Sequence, residues 1–141
     1  MTYKMMIRRC CTVVFIIVAL FMGCQGQLMG TATAVSAQEA KQLIEQHLND
    51  PQFLIIDMRT PNEYRQGHIA GAILVDYYSP HLKETIGRLD RTRTYLVYCR
   101  SGNRSGRALN VFSGLGFKQV YHLSHGILEW KAQRLPLVTQ G

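Results

Sequence analysis

The segment best equipped for chemistry is the run Cys99-Arg100-Ser101-Gly102-Asn103-Arg104-Ser105. It follows an apolar strand pattern over residues 94–98, and a helical pattern follows from about residue 106. A loop that leads into a helix N-terminus presents backbone N–H groups that have no helical partner. These donors and the flanking arginines favour the thiolate form of Cys99, and they would also hold an anionic substrate. The segment therefore predicts a cysteine nucleophile inside an anion-binding loop.

The chain has four cysteines, Cys10, Cys11, Cys24 and Cys99. The first two lie in an apolar N-terminal segment, and no C-x-x-C pair follows it in the sequence, so neither a structural zinc site nor another metal is expected. The competing interpretation of Cys99 is a buried, inert thiol that packs as a small hydrophobic residue. The arginines and the serine beside Cys99 favour a reactive thiol instead.

The formal net charge of the 141-residue chain is +7. Three of the positive residues precede the apolar segment, so residues 24–141 carry 13 Lys+Arg against 9 Asp+Glu, a net of +4. These positive charges do not form one stripe, so affinity for small anions is expected and a nucleic-acid partner is not. The length fits one domain, for which a monomer is expected.

The N-terminus has the pattern of an export signal. Residues 1–9 are positive, and residues 10–22 are almost wholly apolar but shorter than the ~20 residues that span a membrane. Residues 20–24, Leu-Phe-Met-Gly-Cys, resemble a bacterial lipobox, in which cleavage precedes the cysteine and lipid is attached to it. The pattern predicts a lipoprotein-type signal peptide over residues 1–23, lipidation of Cys24, a tether over residues 24–30 and a domain over residues 31–141.

Other ways of processing the N-terminus stay open. Cleavage could fall at Ala32-Thr33-Ala34 or near Val35-Ser36-Ala37, or the segment could remain as an uncleaved anchor. However, Ser36 and Glu39 form a capping box in front of an amphipathic pattern, and residues 31–35 could form a first strand, so late cleavage would trim the domain. We therefore expect an exported protein held by lipid at the periplasmic face or cell envelope, with a soluble periplasmic protein as the alternative.

Strand and helix patterns alternate along the rest of the chain. Continuous apolar runs predict strands buried on both faces at residues 53–56, 70–75, 94–98 and 119–123. Helical patterns occur at residues 36–48, 80–86, 105–113 and 126–133, with a short helical turn from Pro61. This alternation indicates an α/β fold with a central parallel sheet of about five strands and helices on both faces. Ligands bind beyond the carboxyl ends of such strands, where Cys99 and Asp57 both lie.

Three separated stretches carry a resemblance to a known family. Residues 56–72, Ile-Asp-Met-Arg-Thr-Pro-Asn-Glu-Tyr-Arg-Gln-Gly-His-Ile-Ala-Gly-Ala, resemble the D-x-R…E-[YF]…G-H-I-x-G-A segment of rhodanese-like domains. The Cys99–Ser105 loop is the second stretch, and residues 116–136 are similar to the closing motif of that family. Over residues 36–136 the chain therefore resembles the small single-domain sulfurtransferases of the rhodanese-like superfamily.

The resemblance implies supporting roles for Asp57, Arg59, Glu63 and His68. Arg104 would either touch the substrate or fold back onto Asp57 or Glu63 and brace the loop, and the brace is preferred. Arg59 would belong to the same ionic network. His68 would be a hydrogen-bonded turn residue rather than a base.

Three further residues have open roles. Arg100 would lie at the mouth and attract an anionic donor, and Ser105 would donate to the thiolate or only cap the helix. His125 stands where the closing motif usually has the first of two glycines. If that position needs a positive φ, His125 is strained. Its ring could also approach the active loop, although a packing role is preferred.

The resemblance implies sulfur transfer through a Cys99 persulfide, from thiosulfate or another small anionic sulfane donor to a thiol or cyanide, with no metal or organic cofactor. Related phosphatases use C-x5-R, whereas this chain has C-x4-R with Ser105 in the next position. The shorter loop favours sulfur over phosphate or arsenate. A phosphatase or arsenate reductase, and a non-catalytic binding or sulfur-carrier module, remain the alternatives.

Overall fold

The computed structural model of the chain describes residues 31–139, and the predicted signal peptide, the tether and Cys24 lie outside that range. Its strands are β1 (Thr31–Val35), β2 (Phe53–Asp57), β3 (Ala72–Leu74), β4 (Thr94–Tyr98) and β5 (Gln119–Leu123). Its helices are α1 (Ala37–Gln46), α2 (Pro61–Arg65), α3 (Leu82–Gly87), α4 (Asn103–Gly114) and α5 (Gly126–Ala132). Within residues 31–139, no helix has the length and apolarity needed to cross a membrane.

The strands form one sheet in the order β1-β5-β4-β2-β3, and every neighbouring pair is parallel. Strand β4 lies at the centre between β5 and β2, so the end of β4 is surrounded by strand ends on both sides. The predicted α/β fold with a five-stranded parallel sheet is therefore confirmed. The short first strand expected at residues 31–35 is also present, at one edge of the sheet.

Helices cover both faces of the sheet and define two hydrophobic cores. Helices α1 and α5 pack on the first face with Leu96 and Tyr98 of β4. Helices α3 and α4 pack on the second face with Tyr95 and Val97 of the same strand. Successive residues of a strand point to opposite faces, and Cys99 continues the series that faces α4. The strand therefore directs the cysteine toward the helix that follows it.

Two helices begin with reciprocal caps. The predicted capping box is present at α1, where the Ser36 hydroxyl accepts from the Glu39 N–H and the Glu39 carboxylate accepts from the Ser36 N–H. Thr60 and Glu63 form a second box at α2. Each box satisfies two N–H groups that the helix itself cannot. The second box also holds Glu63 at the entrance of α2, beside the cysteine loop.

Two predicted elements have different bounds in the structure. The strand expected over residues 70–75 is reduced to Ala72–Leu74, because a turn closed by Ala72 N–H and Ile69 C=O precedes it. The helix expected from Ser105 begins at Asn103 instead. The loop between β4 and α4 is therefore short, and its last residues already belong to the first helical turn.

Candidate active site: a buried cysteine in a short loop

Gly102 makes the turn between β4 and α4 possible. It is the N-cap residue of α4 and has a φ of 89°, a left-handed conformation that favours glycine. A Cβ at this position would overlap the backbone carbonyl of Ser124. The loop can therefore close this tightly only with glycine at position 102.

The N-terminus of α5 holds the other side of the loop. The Ile127 N–H donates to the Cys99 carbonyl at 2.9 Å, and the Leu128 N–H donates to the Arg100 carbonyl at 3.1 Å. The N–H of a trans peptide points opposite to its C=O, so the N–H groups of Arg100 and Ser101 point away from α5. These contacts hold the two carbonyls toward α5 and leave the Ser101 N–H on the side of the sulfur.

His125 is not strained, because its position does not require a positive φ. It is the N-cap residue of α5 with a φ of −105°, and the left-handed residue is the following Gly126, with a φ of 61°. A Cβ on Gly126 would lie 2.6 Å from the Cys99 carbonyl oxygen. The motif therefore needs glycine only at its second position, and the exposed His125 ring contacts Ser124 and Glu129.

Cys99 combines burial with an array of hydrogen-bond donors. The residue is 0% exposed and lies in the second core. Burial raises the pKa of its thiol. Hydrogen bonds from the Ser105 hydroxyl and from the N–H groups of Ser105, Ser101 and Arg104 lower that pKa by more than burial raises it, so the net pKa is below the ordinary value. On sequence grounds, a buried thiol and a reactive thiol are alternatives. In the structure the sulfur is buried and is nonetheless surrounded by groups that stabilise its anion.

Ser105 is buried and its hydroxyl has three neighbours. The Oγ atom lies 3.3 Å from the Gly102 carbonyl oxygen and 3.0 Å from Nε2 of His122, and the hydroxyl contributes to the lowered pKa of Cys99. His122 Nε2 is also 3.2 Å from the Gly102 carbonyl oxygen. Ser105 is thus part of a buried polar cluster behind the sulfur.

Arg104 folds back from the loop onto α2. Its two terminal nitrogens donate to the two carboxylate oxygens of Glu63 at 2.8 and 2.7 Å. The guanidinium also lies 5.6 Å from the ring centre of Tyr78. Of the two partners considered from the sequence, Glu63 is the one observed, and the pair connects α4 to α2.

Arg59 and Asp57 form a separate buried pair. The Arg59 guanidinium makes a two-point contact with Asp57, with its shortest distance at 2.6 Å, and also donates to the Gly67 carbonyl. The Tyr98 hydroxyl donates to Asp57 at 2.8 Å. Arg59 was expected to belong to the same ionic network as Arg104. In the structure its carboxylate partner is Asp57, whereas that of Arg104 is Glu63. The cluster supports the end of β4, one residue before the cysteine.

The remaining predicted residues lie around the loop in different settings. His68 is buried, stacks on Tyr64, and its Nδ1 is 3.0 Å from the Tyr64 carbonyl oxygen. Arg100, Ser101 and Asn103 are exposed. Ser101 also lines an open groove with the side chains of α5. Among the described residues, no group of His, Cys, Asp and Glu could hold a metal ion.

Residues 36–133 match the family model of the rhodanese-like domain. The chain belongs to this family. Its rhodanese-like domain is 36% identical over 102 residues to the tRNA uridine(34) hydroxylase of Yersinia pestis, a match that covers 67% of this chain and 29% of that protein. The chain thus spans less than a third of the length of the curated relatives it matches.

Solved structures show the same fold. The rhodanese-like domain superposes on a rhodanese-related protein from Thermoplasma volcanium with a TM-score of 0.65 and 29% identity, covering 77% of this chain and 99% of that one. It superposes on the Alr3790 protein from Anabaena sp. with a TM-score of 0.64 and 27% identity, covering 75% and 82% of the two chains. The fold is therefore that of rhodanese-like domains.

His122 is the site residue that the sequence analysis missed. The alternation of β5 places Val120 and His122 on the α4 face of the sheet, and this signal is present in the sequence. The alternation does not reveal which residue of α4 faces His122, because that depends on the register between β4 and β5. The contact with Ser105 became visible only in the structure.

Proposed function

We propose that the protein is a sulfurtransferase that moves a sulfane sulfur through a persulfide on Cys99. The observation that carries the proposal is the lowered pKa of the Cys99 thiol inside a ring of loop N–H groups. A thiolate is the nucleophilic form of cysteine. The same N–H groups would stabilise a negative charge on a sulfur atom added to Cys99.

In the first step, the Cys99 thiolate attacks the outer sulfur of thiosulfate. The new bond joins the two sulfur atoms, the S–S bond of thiosulfate breaks, and sulfite leaves with the electron pair. The product is a Cys99 persulfide anion, and no proton or external oxidant is needed for the balance. Arg100, exposed at the mouth, would attract the dianionic donor.

In the second step, an acceptor removes the outer sulfur. Cyanide attacks it, the persulfide bond breaks, and thiocyanate leaves while Cys99 returns to the thiolate. A thiolate acceptor would react in the same way and become a persulfide itself. The two steps share one covalent intermediate, so ping-pong kinetics are expected.

The geometry of Arg104 argues against phosphatase or arsenate reductase activity. Both terminal nitrogens of its guanidinium are engaged by Glu63, so they bind a carboxylate rather than an anion within the loop. Ser105, and not an arginine, occupies the position that completes a C-x5-R loop. The proposed reaction uses only main-chain donors and one hydroxyl around the sulfur.

Turnover of thiosulfate and cyanide tests the proposal. Wild-type protein should form thiocyanate, and Cys99→Ala should form none above background. Intact-mass analysis after thiosulfate treatment should show one added sulfur atom, which cyanide removes. Equal rates for both proteins would exclude the mechanism, and a stable persulfide without turnover would instead support a sulfur-carrier module. Hydrolysis of an aryl phosphate by wild type would favour the phosphatase alternative.

Similarity to the curated relatives favours one second candidate, the hydroxylation of a tRNA uridine. The supporting observation is the 36% identity over 102 residues. The chain spans only 29% of that relative, so most of the relative's length has no counterpart in the match. Because hydroxylation is an oxidation, the protein would be incubated with unmodified tRNA, dioxygen and an electron donor, and nucleoside mass spectrometry would detect a hydroxylated uridine. Its absence, together with thiocyanate formation, would leave sulfur transfer as the activity.

We also propose that the protein acts outside the cytoplasm, anchored by lipid on Cys24. The support is the charged and apolar pattern of residues 1–22 followed by the lipobox-like segment. Such processing would remove Cys10 and Cys11 and attach lipid to Cys24, which leaves Cys99 as the one free thiol among the four cysteines of the sequence. Small anionic sulfur donors and thiol acceptors are the partners that fit this location, and a nucleic acid is not required.

A further inference from the structure

We infer that His122 is a positioning residue for Cys99, because its ring N–H holds the Ser105 hydroxyl so that the hydroxyl proton points at the sulfur. The supporting geometry is the contact of His122 Nε2 with Ser105 Oγ at 3.0 Å, among residues that are all buried. The Ser105 hydroxyl in turn is one of the hydrogen-bond donors that lower the pKa of Cys99. The inference rests on the proposed function for its effect on turnover. Its effect on the thiol itself does not depend on sulfur transfer.

The sheet and α4 together fix the position of the ring. His122 lies on β5 opposite Val97 of β4, two residues before the cysteine. Its side chain is 9% exposed and points to the face covered by α4. There the ring lies against Gly106, where an added Cβ would be 3.4 Å from Cε1, an ordinary van der Waals contact. The imidazole therefore lies directly beside the first turn of α4, where Ser105 is found.

The contacts of Nε2 determine which ring nitrogen carries the proton. Nε2 is 3.2 Å from the Gly102 carbonyl oxygen, and a carbonyl can only accept a hydrogen bond. Nε2 must therefore carry a hydrogen, so it is also a donor toward Ser105 Oγ at 3.0 Å. The Ser105 hydroxyl has one proton, and the Gly102 carbonyl oxygen at 3.3 Å competes for it. That carbonyl already accepts from the Gly106 N–H at 2.8 Å and from His122, so the hydroxyl proton is left for the Cys99 thiolate.

The electrostatic surroundings agree with a neutral ring. Burial lowers the pKa of His122, and the Gly102 carbonyl only partly opposes this effect. The charged group that faces Cys99 from α4 is Arg104, and Glu63 of α2 neutralises it. The lowered pKa favours the neutral form of the ring, in which Nε2 can still donate to Ser105. His122 therefore acts on Cys99 by orienting the Ser105 hydroxyl and not through a positive charge of its own.

The test measures how the rate of iodoacetamide alkylation depends on pH, read at the Cys99 peptide of the full chain by mass spectrometry. His122→Leu removes the donor, and the alkylation rate near pH 6 should fall about threefold to tenfold, with the profile displaced to higher pH. His81→Leu is the matched control, because His81 is an exposed residue beside α3. The control should follow the wild-type profile. An unshifted profile for His122→Leu would overturn the inference.

Two further comparisons separate positioning from general damage. In a Ser105→Ala background, His122→Leu should cause no additional displacement, because the hydroxyl through which it acts is gone. An equal displacement in both backgrounds would refute the inference. If His122→Leu fails to fold, His122→Gln and His122→Asn replace it. The Gln amide reaches the place of Nε2 and should preserve the profile, whereas the shorter Asn should not, and identical profiles for these two variants would refute the inference.

The alkylation readout also distinguishes this inference from the proposed function. If wild-type protein forms no thiocyanate but His122→Leu still displaces the profile, the positioning role stands and sulfur transfer does not. If wild-type protein is active and the profile of His122→Leu is unchanged, sulfur transfer stands and the positioning role is wrong. When both hold, His122→Leu should reduce kcat/KM for thiosulfate by the same factor as the alkylation rate at that pH.

Discussion

At Cys99, two physical effects act on one thiol in opposite directions. Burial favours the neutral form, whereas four hydrogen bonds from the Ser105 hydroxyl and the loop N–H groups favour the anion and outweigh it. At a surface cysteine, water would screen the same donors, so their hydrogen bonds would stabilise the thiolate less. The loop therefore lowers the pKa of a thiol that is fully buried.

The lowered pKa of Cys99 predicts how reactivity and stability change with pH. In the folded protein, alkylation of Cys99 should reach half its maximal rate at a lower pH than in the same chain unfolded in urea. Because the folded pKa is the lower one, the stabilisation from the thiolate is complete above the unfolded pKa and is lost as pH falls through the folded pKa. Coincident alkylation profiles for the folded and unfolded chains would contradict the assignment of the loop as an anion site.

Gly102 is the residue on which the loop shape depends most. Gly102→Ala should destabilise the protein by about 2 kcal/mol or more, because the new methyl group meets the Ser124 backbone and φ is positive. Gly114→Ala at the end of α4 is the matched control, since no atom lies within 4 Å of the added Cβ. The control should be neutral or stabilise by up to about 1 kcal/mol. Chemical unfolding measures both, and equal effects would show that the tight turn is not glycine-dependent.

At the scale of elements, the loop is held between two helices by different means. Helix α5 binds the loop carbonyls through its first N–H groups, and α2 binds Arg104 through Glu63. The same Glu63 carboxylate caps α2 by accepting from Thr60. One side chain therefore couples the start of α2 to the start of α4.

The Glu63–Arg104 pair predicts a specific acid sensitivity. The hydrogen bonds from Arg104 lower the pKa of Glu63 to about 2, below its usual 4.5. The stabilisation is therefore complete above the unfolded value and is lost as pH falls toward 2. Glu63→Gln should lower the free energy of unfolding by about 1–3 kcal/mol at pH 7, and the difference from wild type should shrink below pH 4.

The control for this prediction is Glu45→Gln. Glu45 pairs with Lys41 on the surface of α1, and its side chain is 60% exposed. An exposed pair of this kind contributes little, so the variant should unfold like wild type at every pH. A pH-independent loss in Glu63→Gln would show that the cap at Thr60, rather than the ion pair, accounts for its effect.

The sequence predicted most elements because their signals are local. Continuous apolar runs marked β2, β4 and β5, and the Ser36–Glu39 capping box marked the start of α1. The bounds of β3 and the first residue of α4 were predicted incorrectly, because each depends on a turn that tertiary contacts stabilise. The loop that carries the proposed nucleophile was recognisable from local sequence, whereas the contact of His122 with Ser105 was not. That contact depends on how β5 aligns with β4 and on where α4 packs on the sheet.

At the scale of the whole molecule, the edge strand β1 constrains how the N-terminus can be processed. Residues Thr31–Val35 pair with β5 over its full length, and the Ser124 N–H donates to the Val35 carbonyl. Cleavage after residue 34 or residue 37 would remove most or all of this strand and expose the edge of β5. Cleavage before Cys24 would leave the whole sheet intact, with a short tether in front of it.

This topology leads to a prediction for the mature protein. Produced from the full sequence in bacteria, the mature chain should begin at Cys24, carry lipid and remain in the membrane fraction. Cys24→Ala should abolish both the lipid and the retention by lipid, whereas Cys11→Ala, within the apolar segment, should be processed as wild type. Intact-mass spectrometry of the purified protein measures the start residue and the lipid together. A mature chain that begins at residue 35 or 38 would show that the domain folds without its edge strand, and that export proceeds without a lipid anchor.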